Sequence, residues 1–150
     1  MNYNPKEDGQ THINVYSQGL TELGRLLSNF AETPFTHPRH GQFKSVEGFI
    51  YWLGSNNEEL RNLSGIQAKN FGQIADVGIR LRDHEFKKSI REALRMKVTY
   101  NPKIRTMLLT SDLPLAHYYI FNRKVVTVPK WDWVIQEWEN IRVDLKAGKL

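Results

Sequence analysis

A carboxylate becomes a catalyst where water is scarce, and position 47 has the sequence context for that. Ser45-Val46-Glu47 reads as a helix start. Ser45 is a good N-cap, because its hydroxyl can accept an early backbone N–H, and Glu47 falls in the first turn. Phe49, Ile50, Trp52 and Leu53 follow on the apolar side. An acid just ahead of an aromatic wall can be half desolvated, and there a catalytic carboxylate becomes possible. The alternative is an acid favoured only by the helix dipole, worth about 0.3–1 kcal/mol.

A second chemistry is suggested by charge. Residues 80 to 105 hold nine Lys and Arg against three acids, a net +6 in a chain whose total is +5. A localised basic patch implies an anionic partner, with phosphate on a nucleotide or nucleic acid as the natural choice. Lys87, Arg91 and Arg95 recur at four-residue spacing and could grip phosphates; the alternative is a solvated face, partly offset by Glu92. Trp131, Trp133 and Trp138 could stack a base. Trp131 and Trp138 fall on an apolar helix face and read as core, which leaves Trp133 as the stacking or interface candidate. His37, His40 and His117 lack an accompanying acid cluster, so no metal is expected. The chain has no phosphate-binding GxxxxGK[ST] loop, nucleophile elbow or dinucleotide fingerprint, and no cofactor is expected.

The elements that must position these residues follow from punctuation and periodicity. Ile13, Val15 and Tyr16 make a short strand, after a polar start expected to be poorly ordered over residues 1–11. Thr21 to Leu27 forms one or two helical turns, with Leu23, Leu26 and Leu27 inward. Pro34 and Pro38 forbid a continuing helix. Phe35-Thr36 and Gln42-Phe43-Lys44 then form a hairpin turned by Pro38 to Gly41. The helix opened by Ser45 stops near Gly54-Ser55-Asn56-Asn57. A helical turn follows at Glu58 to Leu63, then a piece capped by Ser64 with Ile66, Phe71 and Ile74 inward. Asp83 caps the clearest helix, His84 to about Thr99, with Phe86, Ile90, Ala93 and Leu94 on its inner face. Asn101-Pro102 starts another helix, reaching Thr110. Ala116 to Phe121 and Val125 to Val128 form a second hairpin. Lys130 begins the last helix, whose apolar face is Trp131, Val134, Ile135, Trp138, Ile141 and Leu145. The 150 residues and 40% apolar content therefore predict a single α+β domain, mostly helical, with a small antiparallel sheet. The polar first residues and the lack of a roughly 20-residue apolar run predict no signal peptide, no membrane partner and a cytoplasmic protein. The oligomeric state stays open.

Taken in order, these pieces resemble the NADAR superfamily, whose bacterial members include YbiA-like N-glycosidases, and most closely its phage-type branch. Members carry an SNF turn, a proline-rich hairpin and an S/T-V/T-E-H helix start. Here these read Ser28-Asn29-Phe30, Pro34-Phe35 and Ser45-Val46-Glu47. An AK..G element is matched by Ala68-Lys69 and Gly72. A later run is matched by Ala93-Leu94-Arg95-Met96-Lys97, Asn101-Pro102, and Met107 to Thr110. The order and spacing fit over roughly residues 13 to 122. The chain departs from the pattern at Gly48, where a histidine usually follows the glutamate. It departs again at His117, which takes a later acidic position, and at Asn122 to Val126, where a D..WG motif is absent.

The resemblance implies N-glycosidase or ADP-ribose-type hydrolase chemistry on a phosphorylated ribosyl substrate. Glu47 would be the catalytic carboxylate, Lys69 and Lys97 would face the substrate, Asn29 and Phe30 would shape the pocket, and His117 would join the substrate-binding set. Cleaving an N-ribosidic bond builds positive charge on the sugar. A carboxylate there stabilises the charge and activates water, and a second acid commonly assists the leaving group. Asp112 and Asp76 are the candidates for that second acid. Two other readings stand beside the enzyme. One is a degenerate member that binds a nucleotide or single-stranded nucleic acid through residues 80–105. The other is a phage protein that acts on a host protein in the host cytoplasm.

Overall fold

A computed structural model describes residues 2–75 and 83–150. The helices are α1 (Glu22–Leu27), α2 (Val46–Ser55), α3 (Gly65–Ala75), α4 (Asp83–Tyr100), α5 (Pro102–Thr110) and α6 (Asp132–Lys146). The strands are β1 (Ile13–Asn14), β2 (Phe35–His37), β3 (Gly41–Phe43), β4 (Leu115–Ala116), β5 (Tyr118–Phe121) and β6 (Lys124–Thr127). Short 3-10 turns lie at Pro5–Glu7, Glu58–Asn62 and Pro129–Trp131. The architecture is α+β, mostly helical. The described residues form two compact units, one of 1–28 with 103–150, the other of 29–102.

In the 29–102 unit both ends of the hairpin turn follow local rules. β2 and β3 pair antiparallel, Phe35 opposite Phe43, and Gly41 supplies the left-handed conformation (φ +81°) that closes the turn. α2 starts where Ser45 Oγ accepts the Gly48 N–H at 3.0 Å and stops where Asn56 turns left-handed at φ +56°. α2 packs on α3, on α4 and on the 58–62 turn, and α4 packs on β2. Phe43, Phe49, Val46, Leu60, Ile90, Ala93, Leu94 and Val98 are buried between them.

In the other unit β1 pairs with β4, Ile13 opposite Leu115 and Asn14 opposite Ala116, and the pair is parallel. The expected antiparallel sheet is thus three separate two-stranded pieces, one of them parallel. β5 and β6 form a hairpin with a two-residue loop, Phe121 opposite Lys124. Asn122 and Arg123 are both left-handed there, the geometry that matches strand twist. α6 buries Val134, Trp138, Ile141 and Leu145, with Arg142 donating to the Ser111 and Leu113 carbonyls.

Several expectations are corrected. The polar start is fastened rather than frayed. Asp8 accepts the Asn14 and Leu20 N–H groups at 2.9 and 2.8 Å, Tyr3 stacks on Tyr118, and His12 Nε2 lies 2.6 Å from the Tyr118 hydroxyl. Ile66, expected inward, is 56% exposed, and Ala68 takes the inward place. α3 comes close to α2 at Gly72, where a Cβ would lie 2.2 Å from the Tyr51 ring. The last helix begins at Asp132 after the Pro129–Trp131 turn, and Trp131 and Ile135 are only half-buried. Asp76, Arg80, Arg82 and the side chains of Ile74 and Asp83 lie outside the described residues.

Position 48 explains why glycine stands next to the acid. A Cβ on Gly48 would sit 2.4 Å from the Leu60 carbonyl oxygen and 3.2 Å from that of Leu63, both backbone atoms that cannot swing away. Gly48→Ala gains about 1 kcal/mol of helix propensity against this overpacking. The expected outcome is a net loss of about 2 kcal/mol, read as a lower urea midpoint with unchanged slope.

Candidate active site around Glu47

The backbone of residues 29 and 30 organises the site. The Asn29 carbonyl accepts the Glu47 N–H at 2.9 Å, and the Phe30 carbonyl accepts the Gly65 N–H at 2.9 Å. One dipeptide therefore ties the head of α2, which carries Glu47, to the head of α3, which carries Lys69. Ser45 adds a second tie: its hydroxyl caps Gly48 and donates to the Leu63 carbonyl at 2.8 Å, the residue that ends the 58–62 turn. Four of the expected site residues, Asn29, Phe30, Glu47 and Lys69, are thus brought together.

Burial raises the Glu47 carboxyl from its ordinary value of 4.5 to about 7, and the positive charge of Lys69 pulls in the other direction. Among the described residues Lys69 is the charged group that acts on it. At neutral pH the group is poised between acid and base, as a general acid–base catalyst requires.

Lys97 lies in the last turn of α4 and is fully buried, among Ala93, Leu94 and Val98. Burial lowers its amine from 10.5 to about 7. Asn101 anchors the turn, donating through Nδ2 to the Lys97 carbonyl at 2.7 Å and to the Pro34 carbonyl at 3.0 Å. Lys97 is therefore not the solvated lysine that its position on a basic helix suggests. Lys87, Arg91 and Arg95 are half-buried and already engaged with neighbours, so they are not an open phosphate-gripping stripe.

His117 belongs to the other unit, where its Nδ1 lies 2.6 Å from the Val15 carbonyl and its ring stands edge-on to Tyr119. Asp112, also in that unit, is spent on an ion pair with Lys146 at 2.5 Å, which holds its carboxyl below the ordinary range. Trp133 is half-buried, its ring 5.9 Å from that of Trp131. Among the described residues no group of three His, Asp or Glu is arranged to hold a metal ion.

A polar cluster in the 29–102 unit escaped the sequence reading. Arg39 donates to both oxygens of Glu92 at 2.7 Å, clamping the hairpin turn to α4. His37 is buried beneath it, its ring packed near-parallel to those of His40 and Phe49 with centroids 4.9 Å away. Burial, then the charge of a protonated His40, lowers its imidazole to about 4. The partners are more than fifty residues apart, and no local pattern signals the pairing.

No family model and no curated protein sequence matches the chain. In structure it is similar to the Escherichia coli protein YbiA, determined by NMR, with 20% identity over 98% of this chain and 95% of that chain and a TM-score of 0.66. The fold is therefore YbiA-like. Among the described residues no helix is long and apolar enough to cross a membrane.

The pH dependence of stability follows from the two displaced groups. Below about pH 4.5 Glu47 is protonated in both folded and unfolded chains and adds no slope. Between 4.5 and about 7 the unfolded chain loses its proton while the folded one keeps it, so stability falls as pH rises. Above 7 the full cost, about 3 kcal/mol, remains. Glu47→Gln should raise the melting temperature at pH 8, and the gain should vanish below pH 4.5. Lys97 has the opposite sign. Its cost is complete below about pH 7 and disappears as pH rises toward 10.5, so Lys97→Met should stabilise most at pH 6 and least at pH 10 in the same melting series.

Proposed function

We propose that this chain is an N-glycosidase or ADP-ribose-type hydrolase of the NADAR superfamily, acting on a phosphorylated ribosyl substrate with Glu47 as the catalytic carboxylate. The observation that carries the reading is the Glu47 carboxyl itself, anchored at a helix head, largely withdrawn from water and titrating near pH 7 beside Lys69. The YbiA-like fold and the ordered sequence elements from Ser28 to Thr110 support it. The phage-type branch and the cytoplasmic setting belong to the same proposal.

In this reading the ionised Glu47 faces the ribose carbon as the N-ribosidic bond lengthens, and its negative charge stabilises the oxocarbenium character of the transition state. The base nitrogen departs with the bonding pair, water attacks the ribose carbon, and Glu47 takes the proton it releases and passes it to the departing base. Lys69 holds Glu47 partly ionised and offers an ammonium to a substrate phosphate. Lys97 completes the proposed substrate-binding set, with Asn29 and Phe30 forming the wall. The partner is a small phosphorylated ribosyl or ADP-ribose-like molecule.

Binding without turnover is the second reading, and the closure of position 48 to any side chain favours it. The residue that follows the glutamate in the family pattern cannot be accommodated here, so any contribution from that position is lost. In that case a nucleotide is held at the site and leaves unchanged.

The test is release of free base or ribose phosphate from ADP-ribose, NAD and ribosyl phosphates, followed by chromatography. Wild type should turn over at least one of them. Glu47→Gln should lose about a hundredfold or more in kcat while keeping its melting transition, and kcat/KM of wild type should change through a limb near pH 7. Full activity in Glu47→Gln would sink the catalytic assignment. Saturable binding by wild type with no product would select the second reading.

A further inference from the structure

A cavity of about 470 Å³ opens at the other end of α2, lined by Arg39, His40, Trp52 to Asn56, Glu85, Lys88 and Ser89. Neither Glu47 nor Lys69 lines it. Glu47 and Asn56 are separated by nine residues of helix, about 13 Å along its axis, so this is a place distinct from the site described above. Its volume is in the range of pockets that enclose small organic ligands.

Its walls differ in chemistry. One wall is aromatic: Trp52 and His40, with ring centroids 5.0 Å apart. The Trp52 indole N–H is already donated to Glu58 at 3.1 Å, and the Arg61 guanidinium sits over one part of its ring at 4.9 Å, so what the tryptophan offers a ligand is the rest of its ring. The His40 imidazole is lowered by burial and by the Arg39 and Arg61 charges, and it presents a flat neutral ring at neutral pH. A second wall is the end of α2, where the last carbonyls lose their helical partners. The Asn57 N–H, which a longer helix would turn back to Leu53, instead meets Ser55 Oγ at 3.2 Å. Acceptors at the helix end suit a ligand that donates N–H groups. The third wall is cationic. Lys88 is exposed. Arg39 spends one N–H on each Glu92 oxygen and one on Ser89 Oγ at 3.3 Å. A guanidinium has five N–H groups, so two remain. Glu85 is the opposing charge in the lining.

We propose that this cavity is a second ligand site, specific for a nucleoside monophosphate: the base lies against Trp52 and His40, its N–H groups face the end of α2, and the phosphate is held by Lys88 and Arg39. Aromatic stacking and a charge-assisted phosphate contact are each needed, so neither half of the ligand binds as well as the whole. Glu85, as the negative charge in the lining, opposes the phosphate and limits the affinity.

The indole N–H resonances of the four tryptophans report on the site, with that of Trp52 identified by its loss in Trp52→Phe. Adenosine 5′-monophosphate should shift the Trp52 signal saturably, more tightly than adenosine or inorganic phosphate. Lys88→Gln should weaken binding about tenfold, the effect of one charge-assisted hydrogen bond. Glu85→Gln should tighten it, and Glu47→Gln should leave it unchanged. The proposal is overturned if the Trp52 signal does not move at millimolar adenosine monophosphate. It is equally overturned if Lys88→Gln has no effect, if Glu85→Gln fails to tighten binding, if phosphate alone binds as tightly, or if Glu47→Gln abolishes the shift.

Discussion

One backbone approach fixes the geometry of the 29–102 unit: α2 meets the Leu60 carbonyl at Gly48, with no room for a side chain between them. Ser45, fully buried, locks the same contact by capping the helix and donating to Leu63. With the helix unable to back away, its first turn is pressed into the unit, and the neighbouring residue, Glu47, is carried in with it. The Asn29 carbonyl then takes the Glu47 N–H, so the backbone under the carboxyl is held at two consecutive residues. A precise site needs this kind of support, because its reactive group must stay within a fraction of an ångström of its working position.

Burial decides the state of that carboxyl. The helix dipole and Lys69 both favour the charged form, and a first-turn dipole contributes about 0.3–1 kcal/mol. Desolvation displaces the group from 4.5 to about 7, worth about 3 kcal/mol, so desolvation wins. A fold that keeps a costly carboxyl at Glu47 and a costly amine at Lys97 gives up stability at both places, which is the pattern of sites retained for function. His37 is a useful contrast. Its pKa is equally displaced, yet the residue is 1% exposed and packs against His40 and Phe49, so a substrate has no face of it to reach. Its environment is that of a packing element.

Much of this was legible in the sequence, wherever the rule is local. The Ser45 cap, the Asn101-Pro102 start, both hairpins and the inner face of α4 all rest on residues within a turn or two of each other. The pairing of Ile13–Asn14 with Leu115–Ala116 was not legible, because two-residue strands a hundred positions apart carry no periodic signal. The fastening of the first residues to Tyr118 and the Arg39–Glu92 clamp were hidden for the same reason. Glu47 was found by type and place, but its partial burial depends on Gly48 touching Leu60, which composition does not reveal. Lys97 was picked out by the resemblance as facing the substrate, but its burial was not foreseen. Its four-residue offset from Ala93 puts it on the buried face, and the charge of its neighbours obscured that.

Among the described residues the site holds one carboxylate, where two are usual for glycoside cleavage. Of the two candidates for the other, Asp112 is tied to Lys146 at the surface, and Asp76 lies outside the described residues. A single group can serve both halves of the proposed reaction only if it is ionised often enough to steady a cation and basic enough to take a proton from water. A carboxyl at its ordinary value of 4.5 meets the first condition and is a weak base. One that titrates near 7 meets both at neutral pH. Desolvation at the buried head of α2 is therefore the feature that would let Glu47 serve both halves of the proposed reaction, and the stability it costs and the reactivity it confers have the same origin.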